Sequence, residues 1–251
     1  MGEVRNMDAF EYMKSLPDAS FDLIILDPNY QDWQAFIDRG LLDMSMRLLK
    51  ETGNVLAFTK QPFDFYLRKA CDEWFRREFV WTFENGGAWI SPKMPLVSTQ
   101  KIYWLAKSDD FFFQPRTGEA YAEGTRAFDR PNKVWEGYNE QGRRFSKSDD
   151  GIWIRDHLHF NKPNCGDIPQ KPKELIQIFM RCFCPKSGRV LDPFSGSGII
   201  PVVCASMGID FCASELDASR FDLINANLRS FGMDQRQDTG DAQMDIWGFL
   251  S

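Results

Sequence analysis

Residues 21–26, Phe21-Asp-Leu-Ile-Ile-Leu26, form a nearly unbroken apolar run that ends at Asp27-Pro28. This is the pattern of a strand covered on both faces within a parallel sheet. Shorter runs at 4–6, 54–59, 78–83, 101–107, 189–191 and 210–214 predict further strands. Between them apolar residues recur at helical spacing: Ile37, Leu41, Met44 and Leu48, with Gly53 as the expected stop; then Phe63, Tyr66, Leu67, Ala70 and Trp74; then Leu175, Ile178, Phe179 and Cys182. Helices are also expected over 7–15, 197–207 and 218–230. Strand and helix alternate, which predicts an α/β protein built on a doubly wound, mostly parallel sheet.

The alternation fails between Ser108 and Pro163, where glycines mix with basic residues such as Arg126, Arg130 and Lys133 and aromatics such as Tyr121, Trp135 and Trp153. A long irregular stretch inside a compact domain usually serves a function. Its acidic residues nearly balance the basic ones, so a folded surface excursion without a partner is the alternative reading. The organisation expected is one domain in two halves, 1–107 and 164–251, with an inserted lobe at 108–163.

At 251 residues the chain is long enough for one α/β core with an insertion. There is no run of 18 apolar residues, and Met1-Gly-Glu-Val-Arg-Asn lacks the pattern of a signal segment, so a cytoplasmic protein without a membrane partner is expected. Six cysteines have no paired spacing and read as reduced thiols. His157 and His159 can share a strand face, but no metal is expected from two ligands alone. A net charge of -6 gives no global basic footprint, so any nucleic-acid binding must rest on local phosphate contacts.

Two motifs carry chemistry. Asp192-Pro-Phe-Ser-Gly-Ser-Gly198 follows a strand and opens a helix. Gly196 and Gly198 let backbone approach a ligand closely, and the helix start offers unpaired N–H groups. Proline at 201 departs from the dinucleotide fingerprint and argues against a dehydrogenase. Glu215 ends the next strand, where a carboxylate can accept bonds from ribose hydroxyls. Asp27-Pro-Asn-Tyr30 also follows a strand. Asp27 and the Pro28 carbonyl can each accept one N–H of an amine, drawing its nitrogen toward tetrahedral geometry, while Tyr30 offers a ring for stacking.

In these motifs and their order the chain resembles the amino-group DNA methyltransferases of the permuted type, whose catalytic motif precedes the cofactor motif. Asp27-Pro-Asn-Tyr30 is similar to that family's Asp-Pro-Pro-Tyr, and Phe194-Ser-Gly-Ser-Gly198 to its Phe-x-Gly-x-Gly. The segment from Met7 to Asp22 resembles the lead into its catalytic strand, and Gln170-Lys-Pro-Lys-Glu-Leu175 its Gln-Lys-Pro-x-Glu-Leu. Residues 79–85 more loosely resemble a wall of its target-base pocket.

The resemblance implies a seven-stranded Rossmann-like sheet with an inserted target-recognition lobe, S-adenosylmethionine as cofactor, and double-stranded DNA as partner, the chain acting as monomer or homodimer. It implies catalytic roles for Asp27, Pro28, Asn29 and Tyr30, and cofactor contacts from Asp8, Lys171, Asp192, Phe194, Ser195, Gly196, Ser197, Gly198 and Glu215. The expected reaction is methylation of adenine N6 in a flipped-out base, because the family more often places Asp at the first motif position for adenine and Ser for cytosine. Cytosine N4, a protein glutamine amide, and a silent DNA-binding role are the alternatives. Asn29 stands where the family has a second proline.

Overall fold

A computed structural model describes residues 2–84, 93, 95–116, 153–164 and 169–231. Among these, eight strands form one sheet: β1 (Glu3–Asn6), β2 (Phe21–Leu26), β3 (Leu49–Thr59), β4 (Phe75–Thr82), β5 (Thr99–Leu105), β6 (His157–His159), β7 (Arg189–Asp192) and β8 (Asp210–Glu215). Their spatial order is β1-β8-β7-β2-β3-β5-β4-β6. β5 runs antiparallel to β3 and β4, and every other pairing is parallel. The helices are α1 (Ala9–Ser15), α2 (Trp33–Asp38), α3 (Leu41–Leu48), α4 (Asp64–Ala70), α5 (Lys173–Phe183), α6 (Ile199–Met207) and α7 (Ala218–Arg229).

The alternation along β2 shows how the sheet is held. Leu23 and Ile25 point into one buried cluster with Phe58, Phe179, Val203 and Ile224; Ile24 and Leu26 point into the other with Met13, Trp33, Leu41 and Val55. Successive side chains on a strand face opposite ways, so a continuous apolar run requires cover on both sides. Residues of α5, α6 and α7 cover one face, and those of α1, α3 and α4 the other. Asp22, the one polar residue of the run, is buried but satisfied: its Oδ2 accepts from Lys50 Nζ at 2.7 Å and from the Arg189 backbone N–H at 2.8 Å.

The strand count departs from the seven expected, and the eighth is β6, which comes from the segment read as irregular. β6 adds to the sheet edge beside β4. The preceding stretch is also tied down, with Phe112 N donating to Thr52 O at 2.8 Å and Gln114 N to Cys182 O at 2.8 Å. An antiparallel bridge joins Arg116 to Trp153. The ends of the excursion therefore meet on the domain surface, and the rest of the expected lobe, 117–152, lies outside the described residues.

Two helix boundaries differ from expectation through glycine. The single stripe from Ile37 to Leu48 is two helices, because Gly40 adopts φ +81 between α2 and α3. Gly53 is no helix stop: it lies within β3, where a Cβ would stand 2.7 Å from Leu49 Cδ1 and 3.0 Å from the Phe21 carbonyl. Phe79, Trp81 and Phe83, in the segment compared with a wall of the target-base pocket, are buried in the core. Among the described residues no helix is long and apolar enough to cross a membrane.

β2 and β7 are neighbours at the centre of the sheet, with Leu23 beside Val190 and Ile24 beside Leu191. The chain leaves β2 toward β3 on one side and leaves β7 toward β8 on the other. The two connections diverge, opening a crevice beyond the strand ends, which is where open α/β sheets bind ligands. Both chemistry-bearing motifs border it.

Candidate active site

After β7 the chain turns sharply, with Gly196 at φ +53 and Gly198 at φ +79. Side chains disfavour this left-handed region. At Gly198 space is also closed, since a Cβ would approach Ile224 Cγ1 to 2.6 Å, whereas at Gly196 the nearest atom is 4.0 Å away. The turn is latched to β8: Ser195 N donates to Ser214 O at 3.0 Å and Ser214 Oγ to Pro193 O at 2.9 Å. Pro201 falls in the first turn of α6, where backbone N–H groups have no intrahelical partner to lose.

Glu215 closes the loop from the next strand. Its Oε2 accepts the Gly196 N–H at 2.7 Å and its Oε1 the Asp217 N–H at 2.9 Å. Across the crevice Asp8 caps α1, accepting from the N–H groups of Phe10 (3.0 Å) and Glu11 (3.3 Å). Arg39 Nη2 lies 3.3 Å from Asp8 Oδ1, and its guanidinium sits 3.6 Å over the Phe10 ring. Phe36 bridges Phe10 and Phe194, with ring centroids 5.6 and 5.3 Å away.

These residues enclose a cavity of about 360 Å³ lined by Asp8, Ala9, Phe10, Asp27, Pro28, Asn29, Phe36, Arg39, Pro193, Phe194, Gly196, Glu215, Leu216 and Arg220. Of the cofactor residues expected from the sequence, Asp8, Phe194, Gly196 and Glu215 line it. Ser195, Gly198 and Asp192 shape the loop behind it, and Ser197 faces a smaller cavity of about 190 Å³ with Gln170 and Asn227. Sequence reasoning missed Phe10, Phe36, Arg39, Leu216 and Arg220. The sequence held one signal, an apolar Leu216 directly after the acid, which the structure leaves 70% exposed beside the carboxylate.

Asp192 ends β7 with both carboxylate oxygens sealed from solvent and without a hydrogen-bond partner among the described residues. Burial above all pushes this carboxyl up to about 8, the nearby Ser195 hydroxyl and Phe194 N–H holding it back and the charges of Asp27 and Glu215 adding to the rise. Burial favours its neutral form, and a cationic amine brought near the Gly-rich turn by a ligand would favour the ionised one.

On the acceptor side, Pro28 and Asn29 lead into a 3-10 turn at Tyr30–Asp32. Asp27 Oδ1 accepts from the Tyr30 hydroxyl at 3.0 Å, which also reaches Gln100 Oε1 on β5 at 3.0 Å. Asp27 Oδ2 forms an ion pair with Lys171 Nζ, so the structure brings Lys171 to the acceptor motif rather than to the lining of the larger cavity. Burial, then the Asp27 charge, holds the Tyr30 phenol well above its ordinary range, and it stays a neutral donor.

The remaining nucleophiles are quiet. Cys71, Cys182, Cys184, Cys204 and Cys212 are free and buried, and burial pushes Cys182 and Cys184 up to about 12. Cys165 lies outside the described residues. His157 Nε2 and His159 Nδ1 each stand 3.1 Å from Thr82 Oγ1, and among the described residues no three potential metal ligands gather.

A doubly wound sheet with a glycine turn, an acid on the adjoining strand and an amine-accepting motif across the switch point defines a nucleotide-cofactor enzyme acting on an amino group. A sequence model of the DNA methylase family matches residues 21–226, and the chain belongs to that family: S-adenosylmethionine-dependent methyltransferases of amino groups in DNA, adenine N6 or cytosine N4. The type II methyltransferase M.HpaI of Haemophilus parainfluenzae is 23% identical over 227 residues, spanning 81% of this chain and 68% of its own. The DNA adenine methyltransferase YhdJ of Escherichia coli strain K12 is 22% identical over 236 residues, 84% of this chain and 77% of its own. In fold, a DNA modification methylase of Thermus thermophilus, solved with S-adenosyl-L-methionine, superposes with a TM-score of 0.63 at 19% identity, covering 92% of this chain and 96% of its own.

The site suits that cofactor. The cavity volume lies in the range of small-molecule sites. Gly196 has open space where a side chain would stand, Glu215 faces the cavity, and Asp192 is a buried carboxyl without a partner among the described residues.

Proposed function

We propose that the chain methylates the N6 amine of adenine in double-stranded DNA, acting on a base turned out of the helix. The observation that carries this reading is that Asp27 and Pro28 open onto the same cavity as Gly196 and Glu215, across the β2/β7 switch point. Donor and acceptor sites then adjoin, as a single displacement requires.

When bound, S-adenosylmethionine supplies an electrophilic methyl group. Glu215 and the Gly196 turn would hold it, with Asp8, Phe10, Phe36, Arg39 and Phe194 forming the opposite wall and Asp192, behind the turn, acting on its cationic amine through space. Asp27 and the Pro28 carbonyl accept the two N–H bonds of the target amine. Each carboxylate oxygen has two lone pairs, so Asp27 takes an amine hydrogen while keeping Tyr30 or Lys171. Hydrogen bonds to both N–H groups localise the nitrogen lone pair and stabilise the positive charge that develops there. No proton need leave before attack, because the amine becomes acidic only once the new bond forms, and Asp27 is then in place to receive it. The base must leave the duplex because its amine is otherwise out of reach.

Adenine is favoured over cytosine by the aspartate at position 27, and the adenine-specific name of YhdJ supports the same choice. The segment 108–163, whose two ends pair with each other at Arg116 and Trp153, is assigned the reading of sequence. Incubation with methyl-labelled cofactor and duplex DNA, beside an Asp27→Ala control, tests the activity. Label in DNA that disappears with Asp27→Ala supports it, and label in protein alone overturns it.

A further inference from the structure

Although the chain carries a net charge of -6, two lysines approach the Tyr30 ring of its acceptor motif and a third emerges at the same edge of the sheet. Lys60 follows the last residue of β3, and its Nζ lies 5.8 Å from the Tyr30 ring centroid. Lys171 Nζ approaches the same ring to 5.7 Å, and the Phe58 ring to 5.0 Å. Lys162, three residues beyond β6, stands 3.9 Å over the Phe83 ring. β3, β4 and β6 point the same way as β2. Lys60 and Lys162 therefore emerge at the sheet edge that carries Asp27. Asp27, engaged by Lys171, lies within this group.

Gathering three ammonium groups is unfavourable in the free protein. Burial, then the charges of Lys171 and Lys60, lowers Lys162 below its ordinary value. Packing on aromatic rings holds the ammoniums in place. Such an arrangement gains most from an anion that bridges it.

We propose that Lys60, Lys162 and Lys171 form a binding site for the DNA phosphodiester beside the flipped nucleotide. The proposal rests on the DNA-methyltransferase reading, and adds where an acidic protein finds its local phosphate contacts. A phosphate held here would fix the sugar of the extruded nucleotide while Tyr30 and Asp27 take the base. Lys171 serves both subsites, so it is left intact in the test.

The test is duplex-DNA binding by the full chain, measured by fluorescence anisotropy from roughly 50 to 200 mM salt, where phosphate contacts dominate affinity. Each lost contact lowers the slope of log affinity against log salt by about one. The Lys60→Gln/Lys162→Gln double variant is expected to lose about two units of slope and to bind about tenfold to a hundredfold more weakly near 0.1 M salt, with Lys60→Arg/Lys162→Arg restoring both. Calorimetry with S-adenosylmethionine reports whether the variant is folded; if it is not, Lys60→Gln at its exposed position carries the test, with about one unit lost. A slope unchanged in the variant, or no DNA binding by the unmodified chain, overturns the phosphate site. Label transfer to DNA is followed in parallel. Methylation with an unchanged slope sinks the phosphate site alone, and a reduced slope without methylation of any base sinks the enzyme reading alone.

Discussion

Glu215 Oε2 accepts the backbone N–H of Gly196 at 2.7 Å, so the acid ending β8 and the glycine turn after β7 form one unit. The same carboxylate holds the Asp217 N–H at the start of α7. Its two oxygens set the shape of the cofactor wall before any ligand arrives. Glu215→Ala is expected to leave both N–H groups without this partner and to cost about 1–3 kcal/mol of stability. Glu215→Gln retains one acceptor and should cost less. Thermal unfolding together with cofactor calorimetry checks both, and affinity should fall in the order Glu, Gln, Ala.

The two glycines of the turn separate strain from crowding. Gly198→Ala combines φ +79 with a 2.6 Å approach to Ile224, and is expected to destabilise the fold by roughly 1–3 kcal/mol. Gly196→Ala meets no such clash, so it should fold with a loss of about 1 kcal/mol for its left-handed backbone. Its methyl group, however, enters the cavity wall, so cofactor affinity should drop more than stability does. Denaturant unfolding and calorimetry of the pair separate the two effects.

Asp192 gives the cofactor-free chain a pH signature. An unfolded aspartate titrates near 3.9, and folding raises this one to about 8. The folded state holds the proton more tightly, so the stability from this group is full below about pH 4 and is lost as pH rises through about 8. Asp192→Asn carries a constant cost of its own but no proton. Its stability should therefore fall less than the unmodified chain's between these limits, as thermal melts across the range would show. Cofactor binding should weaken in the same variant.

Asn29 stands where the family resemblance gives proline, and its φ of -59 already matches the proline ring. No hydrogen bond among the described residues uses its N–H. Asn29→Pro is therefore expected to be accepted, with a gain of about 0.4–1 kcal/mol from a stiffer unfolded chain. Methyl transfer should persist, because the groups invoked for chemistry belong to positions 27, 28 and 30. A melt and an initial-rate assay together check this.

The buried strands were legible because cover on both faces forces nearly continuous apolar runs, as in 21–26 and 55–58. The catalytic and glycine motifs were legible for a related reason: each ends such a run. What escaped was set by distance in space. Arg39 reaches the cavity only because Gly40 breaks a helix that periodicity alone would carry through. Phe36 and Phe10 read as ordinary core positions, and nothing in their spacing shows that they close on Phe194. β6 was hidden because three residues are too few to display alternation, and its strand character comes from pairing with β4. Lys171 belonged to a recognisable segment, yet its ion pair with Asp27 joins residues 144 positions apart.

Asp27 and Pro28 are expected to hold the N6 amine of adenine. Nucleosides released from duplex DNA after incubation with the chain and methyl-labelled cofactor, resolved by mass spectrometry, address this most directly. The expected result is label in N6-methyladenine, reduced about a hundredfold to a thousandfold by Asp27→Ala. Label confined to N4-methylcytosine, or adenine label undiminished by Asp27→Ala, would contradict it.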